Sequence, residues 1–442
     1  MRRPMAICPA LTGQISFVFL VLYLSGCATY SQQALSMRDN LLMGRADLAR
    51  ATAEQQDEDQ DDVLACLNKG MLRRMTQDYA GSNQIFELAK QQMQTLYGVS
   101  ISDTATSMTI NDALRDYKGA RYEQILLHAY MAMNYLQLGD ADSARVEILQ
   151  ADVKMMEWGE QADEDPFVRY FAGMIYEALG EYDEALVSYR KARDSYRATR
   201  NEQLLDVPLM LKKDLLRLQA LQGLSDEFSS SKVDFGLANY KPEQIDTNFG
   251  EIIVILNNGL APIRTESAIM TFSSEVQGHV RVAFPVYAQE SKPANKARLK
   301  ISGKHVDMET VENIDRLARQ ALDDEMPLIM TRAIARAVVK YQSQKNANEQ
   351  NALAGFLLTV TNLATERADT RSWTTLPQEI QMARMRLPAG QQHVSIEIVN
   401  RAGRVVDTME ADVDVQAGKL GFLTRHWVAP VPVETSNIAT TK

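Results

Sequence analysis

The chain has 442 residues, 47 Lys and Arg against 57 Asp and Glu for a formal net charge of −10, and 45% hydrophobic residues. That length points to two or three domains, and an acidic chain without a basic stripe argues against a nucleic-acid surface. Three cysteines, two of them among the first 27 residues, do not make a disulfide framework.

Arg2 and Arg3 open the chain, an apolar run fills Ile15 to Leu24, and Ser25 and Gly26 follow. These are the three parts of an export signal. A run of about ten apolar residues is too short to span a hydrocarbon core, which takes roughly 20 residues in a helix. Leu24-Ser25-Gly26-Cys27 resembles the bacterial lipobox. The resemblance implies diacylglyceryl attachment at the Cys27 thiol, cleavage before it, and acylation of the new amino terminus. Ala28 follows where an Asp would retain the protein at the inner membrane, so the implied address is the outer membrane, periplasmic face. Each buried CH₂ contributes about 0.8 kcal/mol, and two acyl chains anchor stably. This covalent lipid is the sole cofactor expected. The mature chain would carry 45 basic and 57 acidic residues, a net charge of −12. Cys66 in "DDVLACLNKG", on the apolar side of a predicted helix, reads as a buried structural thiol.

Helical periodicity dominates up to residue 224, and internal repetition is its main signal. In "VRYFAGMIYEALGEYDEALVSYRKA", Gly173, Tyr176, Gly180, Tyr182, Ala185, Tyr189 and Ala192 fall at the spacings of a helical hairpin. Gly173 and Ala185 let two helices approach, Gly180 turns the chain, and the tyrosines fill the gap. A second unit, "HAYMAMNYLQLGDADSARVEILQA", has Ala132, Tyr135, Gly139, Ala144, Ile148 and Ala151 in matching places. Both resemble the tetratricopeptide (TPR) repeat family. Gly70, Tyr79, Ser82, Phe86 and Ala89 form a looser third unit, and "NLLMGRADLARA" a broken fourth. The helix expected in "LLDVPLMLKKDLLRLQALQG" caps the stack.

The polar, serine-rich "SDEFSSSKVDFG" reads as a boundary. The predicted organisation is a signal peptide at 1–26, a lipidated N-terminus with TPR-like repeats at 27–224, a linker at 225–245 and a module at 246–442. Alternating runs such as "GEIIVILNNG", "GHVRVAFPVYA" and "QHVSIEIVN" predict strands in the module, with helices in "METVENIDRLARQALDD" and "MPLIMTRAIARAVVKYQ". The fold class expected is a helical solenoid followed by an α+β or β-sandwich-like module.

Chemistry leaves few traces. The five histidines form no HExxH, and there is no CxxC, P-loop or GxGxxG. No metal or catalytic residue is expected. Asp57 to Asp62 fails the EF-hand pattern, with Asp62 where glycine is needed and Asn68 where glutamate is needed. Ser229 and Lys232 have SxxK spacing without companion motifs. "TERADTRSWTTLPQEI" reads as a clasp joining helix to sheet, with Asp369 paired to Arg371 and Trp373 docked; a partner-binding patch is the other reading.

Lipobox, repeats and this C-terminal half together resemble an uncharacterised family of bacterial TPR-containing lipoproteins. The resemblance implies an envelope-assembly role beside activators of penicillin-binding proteins. The expected function is a lipid-anchored adaptor whose repeat groove holds another envelope protein, of unknown identity. An envelope enzyme or glycan-binding protein with a site in the C-terminal module is the alternative. Arg169, His128 and Asn134 are expected to line the groove, as polar residues of first helices that packing does not need. Arg371 and Trp373 are the second candidate surface.

Overall fold

The computed structural model describes residues 30–55, 62–99, 116–158, 164–198, 205–242, 246, 248–273, 278–287, 295–350 and 367–428. Cys27 and the rest of the expected signal segment lie outside the described residues, as do Asp57 to Asp61.

Ten helices come first: α1 (Tyr30–Leu42), α2 (Ala46–Gln55), α3 (Val63–Met75), α4 (Tyr79–Val99), α5 (Arg121–Gln137), α6 (Ala141–Trp158), α7 (Pro166–Ala178), α8 (Tyr182–Arg197), α9 (Leu209–Leu221) and α10 (Ser225–Asp234). They form five hairpins, each closed by the same turn. Gly44, Gln77, Gly139, Gly180 and Gly223 stand at φ of 63° to 79°. In every case the next residue's N–H donates to the carbonyl five back: Arg45 to Asn40, Asp78 to Arg73, Asp140 to Tyr135, Glu181 to Tyr176 and Leu224 to Gln219, all at 2.9 Å. This is the Schellman closure, which satisfies orphan carbonyls at a helix end. Gln77 bears the left-handed backbone without being glycine, which is why the third unit reads only loosely in the sequence. Neighbouring hairpins stack in chain order.

Two hairpins share an inner seam. A Cβ built on Gly173 would overlap the Tyr189 ring, and one built on Gly70 would overlap the Phe86 ring. Ala132 and Ile148 hold the same places in α5 and α6, both buried. Ala144, Ala151, Ala185 and Ala192 are fully buried, whereas Tyr135 and Tyr176 are half-buried against the same core. Cys66 is buried and forms no disulfide.

Two expectations are corrected. The stretch read as a linker is α10, second helix of the fifth hairpin, so Ser229 and Lys232 sit on a helix. Its serines hid it: α10 is held by polar contacts, Gln219 Nε2 donating to Ser231 Oγ at 3.0 Å and to Glu227 Oε1 at 2.9 Å, rather than by an apolar stripe. The two helices expected after residue 308 are one, α11 (Ile314–Gln350), running through Pro327, and "METVEN" is largely strand β6 (Glu309–Asn313).

The other strands are β1 (Phe249–Asn258), β2 (Thr265–Ser273), β3 (Gly278–Val286), β4 (Lys296–Ile301), β5 (Lys304–Asp307), β7 (Glu379–Pro388), β8 (Gly390–Val399), β9 (Val405–Val415) and β10 (Leu420–Trp427). One sheet has the order β10-β1-β7-β6, with β1 and β10 parallel; a second has the order β5-β4-β8-β9; β2 and β3 form a separate ribbon. The first sheet is a central layer. From β1, Ile253 and Ile255 join the helical core, while Ile252, Val254 and Leu256 join a second core with Leu299, Ile301, Val394, Ile396 and Ile398 of the other sheet. A strand buried on both faces reads as an uninterrupted apolar run, as "EIIVIL" does. The result is three layers: repeats, central sheet, outer sheet. No boundary at 225–245 divides them, because the helical core continues into β1, β6 and β7.

Candidate functional site

The inner face of a repeat stack is where a partner is expected, and here first helices line it. That face is filled by the chain itself. Helices α5 and α7 pack on β10, and α7 also on β6. Tyr130 on α5 donates to Asn257 Oδ1 on β1 at 3.0 Å, Gln137 Nε2 donates to the Phe422 carbonyl at 3.0 Å, and Tyr196 donates to the Val311 carbonyl at 2.5 Å. Phe171 meets Phe422 edge-on at 6.4 Å between ring centroids.

The "ADTRSW" segment plugs the same face. Trp373 is 1% exposed and stands edge-to-face with Phe86 and Tyr130, each at 5.8 Å. Its backbone N–H donates to Glu123 Oε1 at 2.8 Å and its indole to Thr375 Oγ1 at 2.9 Å; Thr375 donates to Asn68 Oδ1 at 2.9 Å. Asp369 and Arg371 pair at 2.9 Å, and the Arg371 guanidinium lies over the Tyr117 ring at 5.5 Å. The arrangement is a clasp between helices and sheet; Trp373 offers no surface to a partner.

The three residues expected along an open groove are all interior, a correction with one cause: each is polar because it is paired. His128 Nδ1 meets Glu147 Oε2 at 2.8 Å, and Lys90 Nζ reaches Glu147 Oε1 at 3.1 Å. Asn134 donates to Ser82 Oγ at 2.9 Å and Asn83 Oδ1 at 2.8 Å and accepts from Arg74. Arg169 pairs with Asp152, and with Glu164 at 2.8 Å. Fully desolvated polar groups need such partners.

Other groups at this junction went unread in the sequence. Arg384 on β7 reaches Glu177 Oε2 and Asp214 Oδ1 on the helices, both at 3.0 Å, and Glu251 on β1. Arg217 adds a contact to Glu177 at 2.7 Å. Burial opposes ionisation of Glu177, but Arg384 and Arg217 outweigh it and hold the carboxyl well below its usual range. One signal was present: Arg384 sits between apolar residues in the strand "MARM". Asp165 caps α7, accepting from the Val168 N–H at 2.8 Å, and faces Glu312 of β6. Burial, then Asp165, pushes the Glu312 carboxyl well up, so that it can hold a proton and share it with Asp165 in a hydrogen bond.

Outward, α6 presents Val146, Leu149, Val153 and Met156, each 45–69% exposed and spaced three or four residues apart. Among the described residues, no helix is long and apolar enough to cross a membrane, and no cluster of ligating side chains fits a metal ion.

No family model matches the chain, and no curated protein does. Among solved structures, a crystal structure of MamA, a TPR-like repeat protein, is similar at 12% identity and a TM-score of 0.31, over 49% of this chain and 100% of that one. MamA AMB-1 is similar at 18% identity and a TM-score of 0.28, over 47% and 90%, and MamA MSR-1 at 20% and 0.28, over 47% and 94%.

Proposed function

We propose that the chain is a periplasmic scaffold, held at the outer membrane by a lipid on Cys27, that presents the outward surface of its repeats to another protein of the cell envelope. One observation carries the reading. The inner face, the ordinary seat of a partner on stacked repeats, is occupied by the chain's own central sheet and by Trp373. Partner contact is thereby displaced outward, where α6 leaves Val146, Leu149, Val153 and Met156 uncovered. The reading assigns no catalytic residue, no metal and no cofactor besides the lipid. Envelope assembly, including peptidoglycan synthesis, is the setting that fits a lipobox joined to repeats.

Because the two halves share one core, the test uses the whole chain. A photo-crosslinking amino acid at Val153, in the native envelope, should trap a defined protein, while one at Lys300 on the outer sheet should not. Cys27→Ser should leave the protein uncut at the inner membrane or loose in the periplasm. Crosslinks from Lys300 alone would move the site to the C-terminal module and favour an enzyme or glycan-binding role. Outer-membrane fractionation of the serine variant would remove the lipid from the proposal.

A further inference from the structure

Arg74, near the end of α3, is 4% exposed, and among the described residues its guanidinium has no carboxylate partner. It donates to Asn134, to Thr424 Oγ1 at 2.6 Å and to Met133 Sδ at 3.2 Å. Among the described residues its charge is otherwise met by the faces of Tyr130 at 5.3 Å and Tyr79 at 5.9 Å. The contrast with Arg169 and Arg384 is plain, since each of those buried arginines holds at least two carboxylates. An isolated buried cation is costly, and proteins pair such charges or neutralise them.

Beside Arg74 lies a cavity of about 80 Å³, lined also by Tyr79, Asn257, Thr424, Arg425 and His426. That is several times the roughly 10–15 Å³ one water needs. Among the described residues no Asp or Glu lines it, whereas two arginines do. The ring nitrogens of His426 are buried, with the Gly259 backbone as their hydrogen-bonding neighbour. Burial and the adjacent Arg74 cation hold His426 down at about 3, against the bond to the Gly259 backbone, so the ring is neutral at neutral pH. Exposed Gln77, from the turn between α3 and α4, also lines the cavity and marks its mouth. The walls come from three places in the fold: that turn, the ends of β1 and β10 in the central sheet, and Met409 of β9 in the outer sheet.

We infer that this cleft is a binding site for one small oxyanion, a phosphate or carboxylate group held by Arg74 and Arg425, with His426 in its wall. The anion supplies the counter-charge that Arg74 lacks, and planar guanidinium forks suit both oxyanions. Asn257 and Thr424 hold the rear wall. A phosphate monoester or a peptide's carboxyl end carries the required group through the mouth at Gln77. Occupancy ties the repeats to both sheets, so it stabilises all three layers together.

The test is titration calorimetry on the whole mature chain carrying Cys27→Ser, with sodium phosphate and sodium acetate as separate probes. Ionic strength is held constant with chloride. Saturable one-to-one binding of at least one probe is expected, weakened at least tenfold in Arg425→Gln. Phosphate as the tighter probe identifies a phosphate-bearing ligand; acetate identifies a carboxylate. A probe at ten times its Kd should also raise the folding equilibrium constant about elevenfold. Arg425→Gln leaves the Arg74 contacts intact, so its fold in chloride should match the parent. Absence of saturable binding by both anions overturns the inference, as does binding unweakened in that variant.

Discussion

Gly173 on α7 faces the Tyr189 ring on α8 so closely that no β-carbon fits between them. Gly70 and Phe86 repeat the relationship in α3 and α4. Gly173→Val should therefore cost about 1–3 kcal/mol or more through overpacking, and Gly70→Val a similar amount. Pairing Gly173→Ala with Tyr189→Leu should recover much of the loss, since residues in contact couple. Urea unfolding of the single and double variants measures this. Additive losses would mean that the seam does not set the hairpin's geometry.

Trp373→Ala removes the largest fully buried side chain of the clasp. Truncating a buried Trp costs about 3–5 kcal/mol, and here the loss falls on the joint between repeats and sheet. The expected result is a lower unfolding midpoint together with faster proteolysis between residues 367 and 376. Unchanged proteolysis would place the joint elsewhere.

Glu177 bridges helix and sheet through Arg384 and Arg217. Its folded carboxyl titrates below the unfolded value of about 4.3. Stability from the pair is then fully present above that value and is lost as pH falls through the carboxylate range. Glu177→Gln should be clearly less stable than the parent at pH 7, and the gap should narrow on acidification. Thermal unfolding from pH 7 to pH 3 reports it; a gap independent of pH would assign the loss to packing alone.

Glu312 carries the opposite sign. Its folded carboxyl titrates above the unfolded value because it is buried beside Asp165. The folded state binds more protons, so the protein loses stability as pH rises above about 4 toward the raised value. Glu312→Gln, uncharged at every pH, should match the parent near pH 4 and exceed it at pH 7. A parent stability flat across that range would contradict the paired burial.

The hairpins were legible where a glycine closed them: Gly139 and Gly180 announced their turns, whereas Gln77 adopts the same backbone under another residue's name. Helix α10 was illegible because hydrogen bonds to Gln219 and Arg190 hold it in place of an apolar stripe. The candidate surface failed for a related reason. His128, Asn134 and Arg169 look dispensable in one dimension, and only the fold brings Glu147, Ser82 and Asp152 to them. The cleft at Arg74 joins residues 350 positions apart through its bond to Thr424, a separation that no spacing rule spans.

Strand β10 lies parallel to β1, the first strand of its sheet, though the two are drawn from opposite ends of the C-terminal half. The order of synthesis therefore matters. The five hairpins can stack as they emerge, and β1 and Trp373 can cover Tyr130, but the inner face is not closed until residues 420–427 bring Phe422 onto Phe171. A newly made chain thus spends the interval before β10 docks with Phe171 and its apolar surroundings open to solvent. That interval is when holdases should engage it, and removing residues 420–427 should prolong their grip.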